Sequence, residues 1–188
     1  MNKLRLLMLA GIACMTMIAT SCEKEDPEDE NEEEVITTLN YFLDPVGGGL
    51  SVPLTFRDLD GDGGDAPVVS MGSLQANTTY NTEIQVLNEQ VAPFDVITEE
   101  IEEEAEEHQF FFQTNIPGVS FSYADQDANG APLGLDAQVT TGDAGSGSIT
   151  VTLRHEPNKS ATGVSEGNIE NAGGETDIEV TFTVNVVN

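Results

Sequence analysis

The sequence predicts an all-β protein whose main body is a single antiparallel β-sandwich. Apolar and polar residues alternate along many short segments, which is the period of a strand with one buried face. Stretches rich in glycine, proline and aspartate, such as residues 45–49 and 142–147, separate these segments and predict turns. Residues 35–188 number 154, which is enough for one domain with a sizeable core.

Seven segments carry the clearest alternation and predict strands. In chain order they span residues 35–43, 50–56, 80–86, 119–123, 135–139, 149–153 and 178–186. The last is the most regular, because every second residue from Ile178 to Val186 is apolar. About seven to nine short antiparallel strands at this spacing favour an immunoglobulin-like sandwich, with a small barrel as the alternative.

The acidic segment from Asp95 to His108 departs from the alternating pattern. Ile97, Ile101 and Ala105 recur at helical spacing, which predicts a short helix that packs one narrow apolar stripe on the sandwich. Glutamates crowd its C-terminal turn, where the helix dipole disfavours anions, so the alternatives are a frayed acidic loop or a cation bound against it. The next residues, 109–112, include three consecutive phenylalanines and predict a strand buried on both faces.

The N-terminus predicts a lipoprotein signal peptide over residues 1–21. Lys3 and Arg5 precede an apolar run over residues 6–19, which is shorter than the roughly 20 residues of a spanning helix. Small residues then lead to Cys22, in the pattern of a lipobox. Cys22 is therefore the expected lipidation site and the first residue of the mature chain. A permanent membrane span is the weaker alternative.

Residues 22–34 form the predicted lipidated acidic tether. Residues 23–34 contain nine acids and one lysine, so this run repels itself and stays solvated. Residues 22–26, Cys-Glu-Lys-Glu-Asp, resemble the lysine-then-acid pattern that sends lipoproteins of Bacteroidota to the outer face of the outer membrane. The expected localisation is the outer membrane, exposed at the cell surface, with the periplasmic face as the alternative.

Charge and cysteine content exclude several classes of function. The chain has 6 basic and 34 acidic residues, and loss of Lys3 and Arg5 with the signal leaves 4 against 34, a net charge of −30. Such a field repels nucleic acid and anionic lipid headgroups and attracts cations. Cys14 lies in the signal and Cys22 is the lipidation site, so no cysteine remains for a disulfide, a thiolate nucleophile or a cysteine-ligated metal.

Two acidic loops resemble calcium-binding loops. The sharper one starts at Asp125 and offers oxygen ligands at positions 1, 3 and 5, glycine at 6 and an acid at 12. The second starts at Asp58 and repeats the first half of this pattern, but Val69 stands at position 12. The candidate calcium ligands are Asp125, Asp127, Asn129 and Asp136 in the first loop and Asp58, Asp60, Asp62 and Asp65 in the second. The alternative is two ordinary turns, which use the same residue types.

The two histidines of the chain predict a transition-metal site. Glu107 and His108 lie just before the phenylalanine run, and His155 and Glu156 follow the strand at residues 149–153. Neutral imidazole is the usual protein ligand of zinc and copper. If the two strand ends are neighbours, the histidines and one or both glutamates form a divalent site; otherwise they are two unrelated surface histidines.

Residues 33–188 are similar to uncharacterised Bacteroidota-type surface lipoproteins. The segments that carry the resemblance are residues 58–63, 107–112 and 154–159. The resemblance supports the expected localisation and leaves the activity open.

Two functional hypotheses lead, and neither is an enzyme. A third, a hydrolase with an acidic cleft, is disfavoured because the sequence has no HExxH motif, no Ser/His/Asp order and no phosphate-binding glycine pattern. The first is a surface-anchored binding module, with loops organised by calcium, that captures a nutrient or metal for an outer-membrane transporter. The second is a calcium-stabilised structural or adhesive module that contacts another protein or a glycan.

Overall fold

The computed structural model describes residues 34–61 and 63–188, which form a two-sheet β-sandwich. The predicted signal peptide, the lipidation site Cys22, the tether before Glu34 and the candidate ligand Asp62 lie outside the described residues. The described part is mostly β, with one short α-helix, and its sheets do not close into a barrel. The prediction of an all-β sandwich is confirmed, and the barrel alternative is wrong.

The described residues contain ten strands and one α-helix. In chain order they are β1 (Thr38–Pro45), β2 (Val52–Arg57), β3 (Val68–Val69), β4 (Met71–Gln75), β5 (Thr79–Leu87), α1 (Ile97–Glu103), β6 (His108–Thr114), β7 (Ser120–Tyr123), β8 (Asp136–Thr140), β9 (Gly145–His155) and β10 (Glu175–Val187). A single 3₁₀ turn, Ile169–Asn171, interrupts the long connection between β9 and β10.

The strands divide into a sheet of six and a sheet of four. The first sheet has the spatial order β3, β2, β1, β5, β8, β7, and all of its pairs are antiparallel. The second has the order β4, β10, β9, β6, in which β4 runs parallel to β10 and the other pairs are antiparallel. The prediction of an antiparallel arrangement therefore holds for every strand pair except β4 and β10 among the described residues.

The core lies where the alternating faces of the two sheets meet. On β10 the apolar residues from Ile178 to Val186 are all buried, and the residues between them are exposed. Leu39, Tyr41 and Leu43 of β1 belong to the same cluster and are fully buried. Each side chain of this size contributes roughly 1.5–3 kcal/mol when it leaves water, so the alternation drives the pairing of the sheets.

The phenylalanine run is buried on both faces of β6, as predicted. Phe110 and Phe112 lie in the main core. Phe111 points to the other face, where Val164 and Ala172 from the connection between β9 and β10 cover it. The connection thus closes the outer face of the second sheet beside β6.

Helix α1 is shorter than the segment that predicted it. Ile97 and Ile101 are buried as expected, but the helix ends at Glu103, before Ala105. Its last turn carries no basic residue, and a glutamate-rich turn over residues 104–107 leads into β6. The early end of the helix places His108 on a strand of the second sheet.

No helix among the described residues has both the length and the apolar character needed to cross a membrane.

Candidate metal centre

The pairing of β6 with β9 brings the two histidines side by side. In this antiparallel register His108 lies opposite His155, and their ring centroids are 4.6 Å apart. His108 is 0% exposed and His155 is 3% exposed. The strand ends are therefore neighbours, which is the condition on which the predicted metal site depended, and the alternative of two surface histidines is wrong.

A β-bulge in β10 adds Asp177 to the histidine pair. The register against β9 shifts between Thr176 and Ile178, which leaves Asp177 as the extra residue. In regular alternation with buried Ile178, the side chain at 177 would face outward, whereas it is only 1% exposed. Its Oδ1 lies 3.8 Å from Nδ1 of His155, so the bulge turns a carboxylate towards the histidines.

Glu34, the first described residue, supplies a second buried carboxylate. Its side chain is 8% exposed, with Oε1 3.0 Å from Nε2 of His108 and Oε2 4.0 Å from Nδ1 of His155. Glu34 precedes β1, a strand of the first sheet, whereas its two histidine neighbours belong to the second sheet. The cluster therefore lies at one end of the sandwich and draws on both sheets.

These four side chains form a compact set of potential ligands. One nitrogen or oxygen from each of Glu34, His108, His155 and Asp177 can be chosen so that all four atoms lie within 4.8 Å of one another. Ligand atoms of a tetrahedral zinc site, with bonds of about 2.0–2.1 Å, lie about 3.3 Å apart. The contacts of 3.0, 3.8 and 4.0 Å in this cluster are already near that separation, so small side-chain rotations would close it around an ion.

The hydrogen bond of His108 defines which of its nitrogens faces the cluster. Nδ1 lies 3.2 Å from the carbonyl oxygen of Glu104, and because a carbonyl can only accept, Nδ1 carries the proton. Nε2 then presents a lone pair towards Glu34 when the ring is neutral. This is the orientation in which histidines ligate metals, with the second nitrogen held by a backbone carbonyl.

The contact between Glu34 and His108 requires a proton or a cation between the two atoms. A neutral Nε2 and a carboxylate oxygen are both acceptors, so at 3.0 Å a proton or a cation must lie between them. Burial disfavours protonation of His108, but the hydrogen bond and charge of Glu34 outweigh it and raise the pKa of His108. Burial also disfavours the charged form of Glu34, yet the two histidines keep its pKa below the usual range.

His155 has carboxylates around it but no hydrogen bond to either ring nitrogen within residues 34–61 and 63–188. On one side Nδ1 faces Glu34 and Asp177, and on the other Nε2 lies 3.9 Å from Oε2 of Glu107. A buried imidazole without hydrogen bonds is costly, and each of these gaps is too long for a direct bond. A cation bound by His155 would remove that cost.

The glutamates that the sequence placed in this site form a second, outer set. Glu107, His155 and Glu156 also have ligand atoms within 4.8 Å of one another, but both glutamates are exposed. The two sets share His155. The structure therefore brings together all four predicted residues and adds Glu34 and Asp177, which the sequence analysis missed.

The backbone at Glu156 and Gly174 ties the end of β9 to the start of β6 and to the start of β10. Glu156 has a positive φ of 48°, and its N–H donates to the carbonyl of Glu107. Gly174 has a φ of 68°, and a Cβ there would lie 2.1 Å from the carbonyl oxygen of His155. Only glycine fits so close to the histidine backbone, so this residue allows the pairing from which the bulge at Asp177 begins.

In the first predicted calcium loop, the carboxylates bind groups of the protein itself. Asp125 accepts hydrogen bonds from the N–H groups of Gly134 and Asp136. Asp127 accepts from the N–H groups of Asn129 and Ala131 and from Nζ of Lys159 at 2.9 Å. Burial disfavours the charged form of Asp127, but these donors outweigh it and lower its pKa.

In the second loop, Asp58 and Asp60 cap backbone amides in the manner of tight turns. Oδ1 of Asp58 accepts from Gly61, and Oδ2 of Asp60 accepts from Asp65. These carboxylates line a shallow open cavity of about 310 Å³ that Arg57 borders. Calcium binding at either loop stays a prediction.

Comparison with protein-family models, with curated proteins and with solved structures finds no match to this chain. The candidate site therefore stands on its geometry.

Proposed function

We propose that this domain binds one divalent transition-metal ion, zinc or copper, between His108 and His155. In this proposal the protein is a surface-anchored lipoprotein that captures the ion for an outer-membrane transporter. The observation that carries the proposal is the buried set of two imidazoles and two carboxylates with ligand atoms within 4.8 Å of one another.

The donor types favour zinc or copper over calcium at this site. Calcium takes six to eight oxygen ligands, whereas imidazole nitrogen suits zinc and copper. The two carboxylates, Glu34 and Asp177, would balance the charge of a divalent ion, which matters because an unbalanced buried charge is costly. The orientation of His108, fixed by the carbonyl of Glu104, leaves Nε2 ready to bind the ion without reorientation.

The charge of the chain supports a capture role. A field from 34 acidic residues raises the local concentration of cations and speeds their association. The exposed glutamates 107 and 156 share His155 with the buried set, so they could receive an ion before it reaches the buried ligands. An acidic outer set next to a buried nitrogen-containing set is suited to collecting and then retaining a metal.

Titration calorimetry with zinc or copper, on the full chain purified in detergent and in calcium-saturated buffer, tests the proposal. We expect one ion to bind per chain. Calcium in the buffer occupies the acidic loops if they bind it, so the remaining heat reports the histidine site. Cobalt(II) absorption gives a second readout, because its visible spectrum reports the coordination number and geometry of the bound ion.

Matched variants separate the buried set from the outer set. Asp177→Asn and His155→Gln should each weaken zinc binding by about ten-fold or more, the cost typical of losing a ligand or its support. Glu107→Gln should have a smaller effect, and Glu106→Gln, an equal charge change on the same turn, should have none. Binding that all four variants retain would refute the proposal and favour the calcium-stabilised adhesive module.

A further inference from the structure

Glu34 joins the histidine pair to the opposite sheet. His108, His155 and Asp177 come from β6, β9 and β10, which are strands of the second sheet. Glu34 comes from the segment that enters β1, in the first sheet. Of the four buried candidate ligands, it alone belongs to the other sheet.

The segment that carries Glu34 is hydrogen-bonded to the first sheet at Thr37. Thr37 donates through its N–H and its hydroxyl to the carbonyl of Leu87, and its hydroxyl accepts from the N–H of Glu89. Between this anchor and the histidines, Ile36 is partly buried and packs against the core, whereas Val35 is 51% exposed. Beyond Ile36, the contact of Glu34 with the histidines is therefore what ties the start of the segment to the second sheet.

We infer that metal binding links the two sheets through Glu34 and fixes the segment at residues 34–37, where the acidic tether meets the domain. This inference rests on the proposed function, because it requires an ion between the histidines. With Glu34 as a ligand, the ion would add a bond at residue 34 to the hydrogen bonds that hold Thr37.

The linkage follows from the chemistry of the four groups. In the structure, Oε1 of Glu34 lies 3.0 Å from Nε2 of His108, and its Oε2 lies 4.0 Å from Nδ1 of His155. A bound ion would replace these contacts with a direct metal–oxygen bond. Because the ion binds better when Glu34 is docked, binding must favour the docked segment by the same factor. Residues 34–188 contain no cysteine, so a disulfide cannot supply this cross-link.

Hydrogen exchange measured by mass spectrometry on the full chain tests the inference, with zinc alone as the probe. Zinc should slow exchange of the amides at residues 35–37 by about five-fold or more, within the usual range of site-to-site coupling. Glu34→Gln should abolish that slowing. Glu33→Gln, the same change one residue earlier and outside the described residues, should retain it.

Two outcomes distinguish failure of the inference from failure of the proposed function. If Glu34→Gln binds zinc as tightly as the unsubstituted chain, and zinc still slows exchange at residues 35–37, Glu34 is not a ligand and the inference is wrong. If zinc changes neither exchange nor heat in the unsubstituted chain, the metal site itself is wrong. The melting temperature of Glu34→Gln without zinc, compared with that of Glu33→Gln, shows whether the substituted domain is folded.

Discussion

Lys159 places a buried ammonium beside Asp127, in the loop that starts at Asp125. Its Nζ contacts Oδ2 of Asp127 at 2.9 Å and the carbonyl oxygens of Pro132 and Ala105 at 3.0 and 2.5 Å. The side chain of Lys159 is 9% exposed and that of Asp127 is 1% exposed. This ammonium balances the charge of Asp127, and it connects the turn after α1 to the loop between β7 and β8.

Replacing Lys159 with methionine should destabilise the domain strongly. The substitution keeps most of the side-chain volume but leaves the Asp127 carboxylate buried without its counter-charge, which typically costs about 3–5 kcal/mol. Urea unfolding followed by circular dichroism measures the free energy of unfolding. Arg57→Gln is the control, because the ion pair of Arg57 with Glu89 is exposed and its loss should cost much less. Equal effects of the two substitutions would show that Lys159 has no special role.

Glu34 and Asp177 show why sequence patterns identified only part of the candidate site. Composition assigns Glu34 to the tether, since it ends a run of acids that has no apolar residue. Alternation places Asp177 on the outer face, and only the bulge turns it inward. The histidines could be found because imidazole is rare in this chain and both lie at predicted strand ends. Pairing between distant strands and local register shifts leave no comparable signal in one sequence.

At the scale of elements, regular alternation is what made the strands predictable. The seven predicted segments all overlap observed strands, and β6 was found from its phenylalanines. Strand β3 was missed because it spans two residues, too few to show a period. Strand β4 was missed because one of its two buried positions is Gly72 and its exposed end is Met71, so its polarity does not alternate. The parallel pairing of β4 with β10 could not be read from the sequence either, since alternation reports which face is buried and not the direction of a neighbour.

The connection into β10 should tolerate a side chain at Gly173 but not at Gly174. Both glycines have a positive φ, so alanine at either costs about 1–2 kcal/mol of backbone strain. At Gly173 nothing lies within 4 Å of the added Cβ, whereas at Gly174 the Cβ would strike the carbonyl of His155. Thermal unfolding should therefore show a larger loss for Gly174→Ala, and zinc affinity should fall with it. Equal losses would mean that this close approach does not hold the end of β9 in place.

At the scale of the whole molecule, the apolar core and the acidic residues have different roles. The alternating core stabilises the domain without a disulfide in residues 34–188, and the acidic residues remain mostly on the surface. Among the described residues, the acids with buried side chains include Asp127, which pairs with Lys159, and the pair Glu34 and Asp177, which lies beside the two histidines of the chain. Carboxylates are costly to bury without compensation, so their position next to imidazoles is the feature that most strongly favours a metal.

The predicted lipid anchor would hold the metal-binding domain at a membrane. Substitutions of the two cysteines give a matched test of this anchor. Acylation requires the Cys22 thiol, so Cys22→Ser should release the protein from the membrane fraction. Cys14→Ser makes the same change inside the predicted signal and should leave the protein with the membrane. Cell fractionation with detergent-free washes, followed by immunoblotting, measures the distribution. If Cys22→Ser stays with the membrane as firmly as Cys14→Ser, the lipoprotein prediction is wrong, and capture at a membrane surface would need a different anchor.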